Sequence, residues 1–110
     1  MVIKMYLIIN NKKYKINDYS NIINKTKGLM FKKEKIKDIY LFKKCNAIHT
    51  FFMKQNIDIC MIDKNNKIIY LESNVKKNKI IIKKEAYSTL ECPLNTIKYL
   101  KLEEKIDIII

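Results

Sequence analysis

A chain of 110 residues, 48% hydrophobic and 31% charged, has the length and composition of one packed domain, which excludes a disordered chain and a multidomain assembly. The formal charge of +12 is carried by lysine without a single arginine. Sequence-specific nucleic-acid recognition, which favours the planar arginine fork, is therefore not expected, although the lysines could hold a polyanion through charge alone.

One glycine and one proline leave the turns to asparagine and aspartate, which tolerate left-handed backbone. Met1 to Ile9 is dense in strand formers, Asn10 and Asn11 follow, and Lys13 to Ile16 alternates Lys, Tyr, Lys, Ile. This predicts a hairpin closed by an asparagine turn. Asp18 or Ser20 is placed to cap a short helix running to Lys27, with Ile22 and Ile23 facing the core and Gly28 at its left-handed C-terminal position. Leu29, Met30 and Phe31 then form an apolar plug, Lys32 to Lys37 a solvated loop, and Asp38 to Phe42 a strand.

Cys45 to Met53 reads as a strand with apolar residues on both faces, suited to the middle of a sheet, so Phe51, Phe52 and Met53 are expected in the core. After a crossing loop, Lys54 to Asn56, the run Ile57 to Ile62 is a strand with Asp58, Cys60 and Ile62 on one face. Asp63-Lys64-Asn65-Asn66 turns it into a paired strand, Lys67 to Leu71. Asn74 to Asn78 is a charged turn, Lys79 to Ile82 and Tyr87 to Cys92 are short strands, and Pro93 stops the second. Asn95 or Thr96 opens a helix of one or two turns carrying Ile97, Tyr99 and Leu100, and Lys105 to Ile110 is a last strand. Closely spaced short strands without a βαβ rhythm predict a mainly β fold, a β-sandwich or barrel-like single domain over residues 1–110 with one or two short helices.

Cys45, Cys60 and Cys92 are odd in number and have neither CxxC nor CxxH spacing, which points to a reducing, cytoplasmic setting without a disulfide framework. The apolar run Met5 to Ile9 is too short for a signal segment or a membrane span. No cofactor, metal or membrane association is expected, and a monomer is the simplest state.

Three pieces of the chain resemble the family catalogued as domain of unknown function 192, a widespread prokaryotic group. Lys25-Thr26-Lys27-Gly28-Leu29-Met30-Phe31-Lys32 resembles its glycine-leucine-methionine signature with basic neighbours. Cys45 with Ile48-His49-Thr50-Phe51-Phe52-Met53, followed by Ile57-Asp58-Ile59 and Met61-Ile62-Asp63, is similar to its central motif, in which a histidine-threonine-phenylalanine strand and a methionine precede a proline-isoleucine-aspartate turn and an apolar strand ending in aspartate. Thr89-Leu90-Glu91-Cys92-Pro93 through Thr96, Leu100 and Asp107 looks like its closing strand, proline-capped helix and last strand. Asn56 stands where many members have proline, Phe52 where they have glycine or another aromatic, Cys92 for leucine and Asn95 for glycine. The resemblance implies a small β-rich domain and no known reaction.

His49 is the obvious acid-base or metal candidate, yet a lone strand histidine is more often structural, and Cys45 lies roughly 13 Å from it at strand rise. Asp58, between Ile57 and Ile59, must be paired, exposed or bonded to backbone amides, for instance capping Lys54 to Asn56 with Thr50 or His49. The expected ligand site gathers Gly28, Met30, His49, Thr50, Met53 and Asp58. The leading reading is a binding or accessory module for an unidentified small molecule or protein partner. Its alternatives are a hydrolase using His49 with Asp58, and a non-specific polyanion binder through Lys32 to Lys37 and Lys76 to Lys84.

Overall fold

The structure, a computed structural model, describes residues 3–21, 29–30 and 32–110. The first hairpin forms as its pattern predicts. β1 (Met5–Ile9) pairs antiparallel with β2 (Lys12–Asp18) across Asn10 and Asn11, whose φ of 49° and 65° make the two-residue turn that matches strand twist. The helix expected up to Lys27, including Gly28, lies outside the described residues.

β3 (Ile39–Lys43) adds parallel to β2 and antiparallel to β8 (Ser88–Cys92). β5 (Ile57–Ile62) lies between β8 and β6 (Ile68–Val75), antiparallel to both, completing a six-stranded sheet in the order β1-β2-β3-β8-β5-β6. The pairing of β5 with β6 through the Asp63 turn is the one the sequence predicts. Asp63 Oδ1 accepts the amides of Asn65 and Lys67, and Asn66 takes the left-handed position at φ 63°. β5 is buried along its whole length, which its unbroken apolar run requires of a strand covered on both faces.

Two apolar clusters flank this sheet. On one face Leu7, Ile16, Ile39, Leu41, Cys60, Ile62, Leu90 and Cys92 pack with Ile97 and Ile106. On the other, Leu29, Ile36, Tyr40, Phe42, Met53, Ile57, Ile59 and Met61 pack beneath a small second sheet of β4 (Ala47–His49) and β7 (Ile80–Ile82), through Ile48 and Ile81. At about 1.5–3 kcal/mol for each large aliphatic side chain buried, the two clusters supply the main driving force for the fold. The molecule is thus mainly β with two sheets, as expected, and its one described helical piece is a 3₁₀ turn at Ile97–Tyr99.

Four local expectations are corrected. Cys45 to Met53 is not a mid-sheet strand. Only Ala47–His49 is extended, and the chain then turns at Phe52, whose φ of 63° breaks the alternation and leaves this phenylalanine 61% exposed. The Lys32 to Lys37 loop is not wholly solvated, because Ile36 is buried in the core. β6 runs on through Asn74 to Val75, so the charged turn begins later. Finally, Lys105 to Ile110 makes two isolated bridges, Lys67 with Lys105 and Tyr6 with Ile109, in place of a strand.

Candidate functional site

Two polar side chains fasten loops over the face of the large sheet that carries Tyr40 and Ile59. Gln55 Nε2 donates to the carbonyls of Lys32 (3.0 Å) and Glu34 (2.6 Å), and its Oε1 accepts the Ile36 amide (3.1 Å). One primary amide therefore does the work of a neighbouring strand and draws Ile36 under. Thr50 holds the second loop. Its hydroxyl donates to the Lys76 carbonyl (2.7 Å) and accepts the Lys79 amide (2.9 Å), while its own carbonyl accepts the amides of Met53 and Asn78, each at 3.3 Å. Met53 is then buried beside Leu29, and Met30 is half-buried next to it in sequence.

Glu91 belongs to this face. The alternation of β8 sends Leu90 and Cys92 into the opposite cluster, and Glu91 pairs in register with Tyr40 of β3 and Ile59 of β5. It is 6% exposed, and its Oε1 has no hydrogen-bond partner among the described residues. Burial pushes its carboxyl up to about 7. A buried acceptor without a donor costs about 1–3 kcal/mol, and such groups are rare enough to need a reason. The signal that singles out Asp58, an acid between apolar neighbours in a core strand, also marks Glu91 between Leu90 and Cys92, which the sequence analysis names only within the closing-strand motif.

Asp58 lies across the sheet from that site. It faces the cluster of Cys60 and Ile97, fully buried, with Oδ1 accepting the Asn74 amide (2.9 Å) and Oδ2 accepting the amides of Thr96 (3.0 Å) and Ile97 (3.3 Å). It caps the 3₁₀ turn and the end of β6, not the Lys54 to Asn56 loop, and Thr50 and His49 are not among these partners.

His49 lies at the surface of the small sheet, its Nδ1 accepting the Phe51 amide (3.2 Å) and its ring stacked on that of Phe51, centroids 5.2 Å apart. His49 and Asp58 thus occupy opposite sides of the six-stranded sheet and form no dyad. Of the expected site residues, Thr50 and Met53 are joined through the Met53 amide and the Thr50 carbonyl, His49 adjoins Thr50 in sequence, and Met30 is half-buried; Asp58 is on the other face, and Gly28 lies outside the described residues.

Cys60 and Cys92, in the opposite cluster, are poor nucleophiles. Burial pushes Cys60 up to about 12, and burial first, then the neighbouring Cys60, Asp58 and Glu91, raises Cys92 well above the usual thiol range. Half-buried Cys45 donates its thiol to the Ala47 carbonyl at 3.3 Å. Among the described residues no three histidine, cysteine or carboxylate side chains gather as a metal site, and no helix is long and apolar enough to cross a membrane. Beside the Gln55 clasp, a surface depression of about 220 Å³ is lined by Ile36, Gln55, Asn56, Pro93 and Asn95 among others.

Comparison with known proteins agrees with this architecture. The family model described as DUF192, Uncharacterized ACR, matches residues 7–109. A protein of unknown function from Novosphingobium aromaticivorans DSM 12444 is similar in structure, with a TM-score of 0.77 at 12% identity, over 96% of this chain and 84% of that one. A protein from Sinorhizobium meliloti 1021, provisionally called a transcription regulator, is similar with a TM-score of 0.76 at 16% identity, over 96% of this chain and 91% of its own. No curated protein matches the sequence.

Proposed function

This chain belongs to the uncharacterised family DUF192, and from that premise we propose that it is a binding or accessory module whose small-molecule site is centred on Glu91. The observation that carries the reading is the Glu91 carboxyl, buried between Tyr40 and Ile59 with one oxygen lacking a donor among the described residues. A bound group that donates a hydrogen bond or a proton to that oxygen would remove the penalty it carries. Met53 and Leu29 add an adaptable apolar wall on the same face, with Met30 beside them in sequence. The Gln55 and Thr50 clasps would hold that wall in place when the site is empty.

A hydrolase built on His49 and Asp58 is disfavoured, because Asp58 already accepts three amides and faces away from the imidazole. Likeness to the Sinorhizobium protein at 16% identity speaks for fold alone. The three free cysteines support a reducing, cytoplasmic setting.

Native mass spectrometry of the untagged protein beside Glu91→Gln tests the reading. A discrete added mass on the wild type, lost in the variant while its fold persists, is the expected result and identifies the ligand class by weight. No added mass on either protein, both purified from cell extract without dialysis, would overturn a resident ligand at Glu91.

A further inference from the structure

We infer that the outer edge of β7 is a docking strand for an extended acidic peptide segment of a protein partner. The bonds from Thr50 N to Lys79 O and from Lys83 N to Asn46 O, each 2.9 Å, bracket the register Ala47 with Ile82, Ile48 with Ile81 and His49 with Ile80. In an antiparallel ladder that register turns the N–H and C=O of Ile81 toward β4 and those of Ile80 and Ile82 away from it. Among the described residues no strand borders β7 on that far side. The side chains of Ile80 and Ile82 are 63% and 65% exposed.

The other sheet edges are occupied, at least in part. β1 is closed by Ile109, which exchanges two bonds with Tyr6, at 2.8 and 2.9 Å. The start of β6 is closed by Glu103 and Glu104 bonding to Ile68, each at 2.8 Å. On β4, the Ala47 carbonyl accepts the Cys45 thiol. Among the described strands, β7 joins an outer edge without any bridge to two exposed isoleucines, the combination that strand addition by a peptide uses.

Charge selects the occupant. Lys76, Lys77 and Lys79 precede β7 and Lys83 and Lys84 follow it, with Glu85 the one acid adjoining. Lys79 is committed to Glu72 at 2.7 Å and Lys83 lies over the Tyr70 ring at 4.5 Å, while Lys76, Lys77 and Lys84 are exposed. A second copy pairing antiparallel here would set lysines against lysines, so the flanks that repel self-association favour an acidic strand. A nucleic acid would engage the lysines but leave the strand edge and both isoleucines unused. The inference is separate from the Glu91 reading, since it is read at different backbone amides.

The test is amide NMR titration of the full chain with a synthetic peptide of alternating valines between glutamates, beside the same peptide with lysines in place of the glutamates. The glutamate peptide should shift the Ile80 and Ile82 amides and slow their hydrogen exchange, with affinity falling as salt rises. The lysine peptide should leave both signals in place. Lys77→Glu with Lys84→Glu should weaken binding about tenfold, as reversing two rim charges does. Ile80→Thr with Ile82→Thr, which keeps strand-forming residues at outward positions, should weaken it as well. Equal response to both peptides, shifts confined to other strands, or displacement of the peptide by a DNA duplex that moves the lysine signals alone would each overturn the inference.

Discussion

Asp58 Oδ2 accepts the amides of Thr96 and Ile97, 38 and 39 residues further along the chain, and so caps the 3₁₀ turn that follows β8. The Thr96 side chain does not cap that turn; it donates to the Pro93 carbonyl at 2.7 Å. A carboxylate in one strand thereby fixes the exit of another, and a residue that could pass for an acid-base group acts as a structural anchor.

Asp58→Ala should destabilise the protein by about 3 kcal/mol or more, because it orphans three amides that one carboxylate satisfies. Asp58→Asn, which keeps an acceptor oxygen, should cost less than half as much. Urea denaturation of both variants measures this, and an unchanged midpoint for the alanine variant would show that water replaces the carboxylate without penalty.

Glu91 sets a pH dependence. Its carboxyl lies near 7 in the fold against an ordinary 4.5, so between those values the native state holds a proton that the unfolded chain has lost. Stability contributed by the protonated form is complete below about 4.5 and is lost as pH rises to 7, on the order of 3 kcal/mol in all. Glu72 opposes this at the acid end, held below the usual carboxylate range by the Lys79 ammonium and then by the Tyr70 hydroxyl, so its contribution fades as pH falls through the carboxylate range. Thermal denaturation at pH 5 and pH 8 should show wild type losing stability over that rise and Glu91→Gln losing far less. Parallel losses in the two proteins would remove Glu91 as the cause.

Phe52 holds a left-handed φ of 63°, a conformation that costs a residue with a Cβ about 1–2 kcal/mol. Phe52→Gly should therefore raise stability by about 0.5–1 kcal/mol once the added chain entropy of glycine is subtracted. A fall in the denaturation midpoint would mean that the contacts of the ring outweigh the backbone strain.

Thiol reactivity should be graded by burial. Native protein treated with iodoacetamide should label at Cys45 first, since Cys60 and Cys92 are buried and their thiols are pushed above the usual range. Intact-mass analysis should show one early adduct, and all three cysteines should label after unfolding. Early labelling at Cys92 would contradict the closed packing around Leu90 and Ile97.

The sequence by itself determined the β class and most strand positions. The Asn10-Asn11 turn and the Asp63 to Asn66 turn are chemical statements about local backbone, and the alternation of β5 assigned Asp58, Cys60 and Ile62 to one face. Tertiary structure decided what those faces meet. Nothing near Asp58 in sequence names Thr96 as its partner, and an acid between apolar neighbours looks the same whether amides await both oxygens, as for Asp58, or one oxygen has no donor among the described residues, as for Glu91. The stretch Cys45 to Met53 was misread for a related reason. Its apolar residues allow a long strand, and only the long-range bonds of Thr50 to Lys76 and Lys79 bend the chain at Phe52 without the glycine that would announce a turn. Periodicity reports which side chains leave water, whereas the partners of a buried polar group are set by contacts far along the chain, which local pattern does not encode.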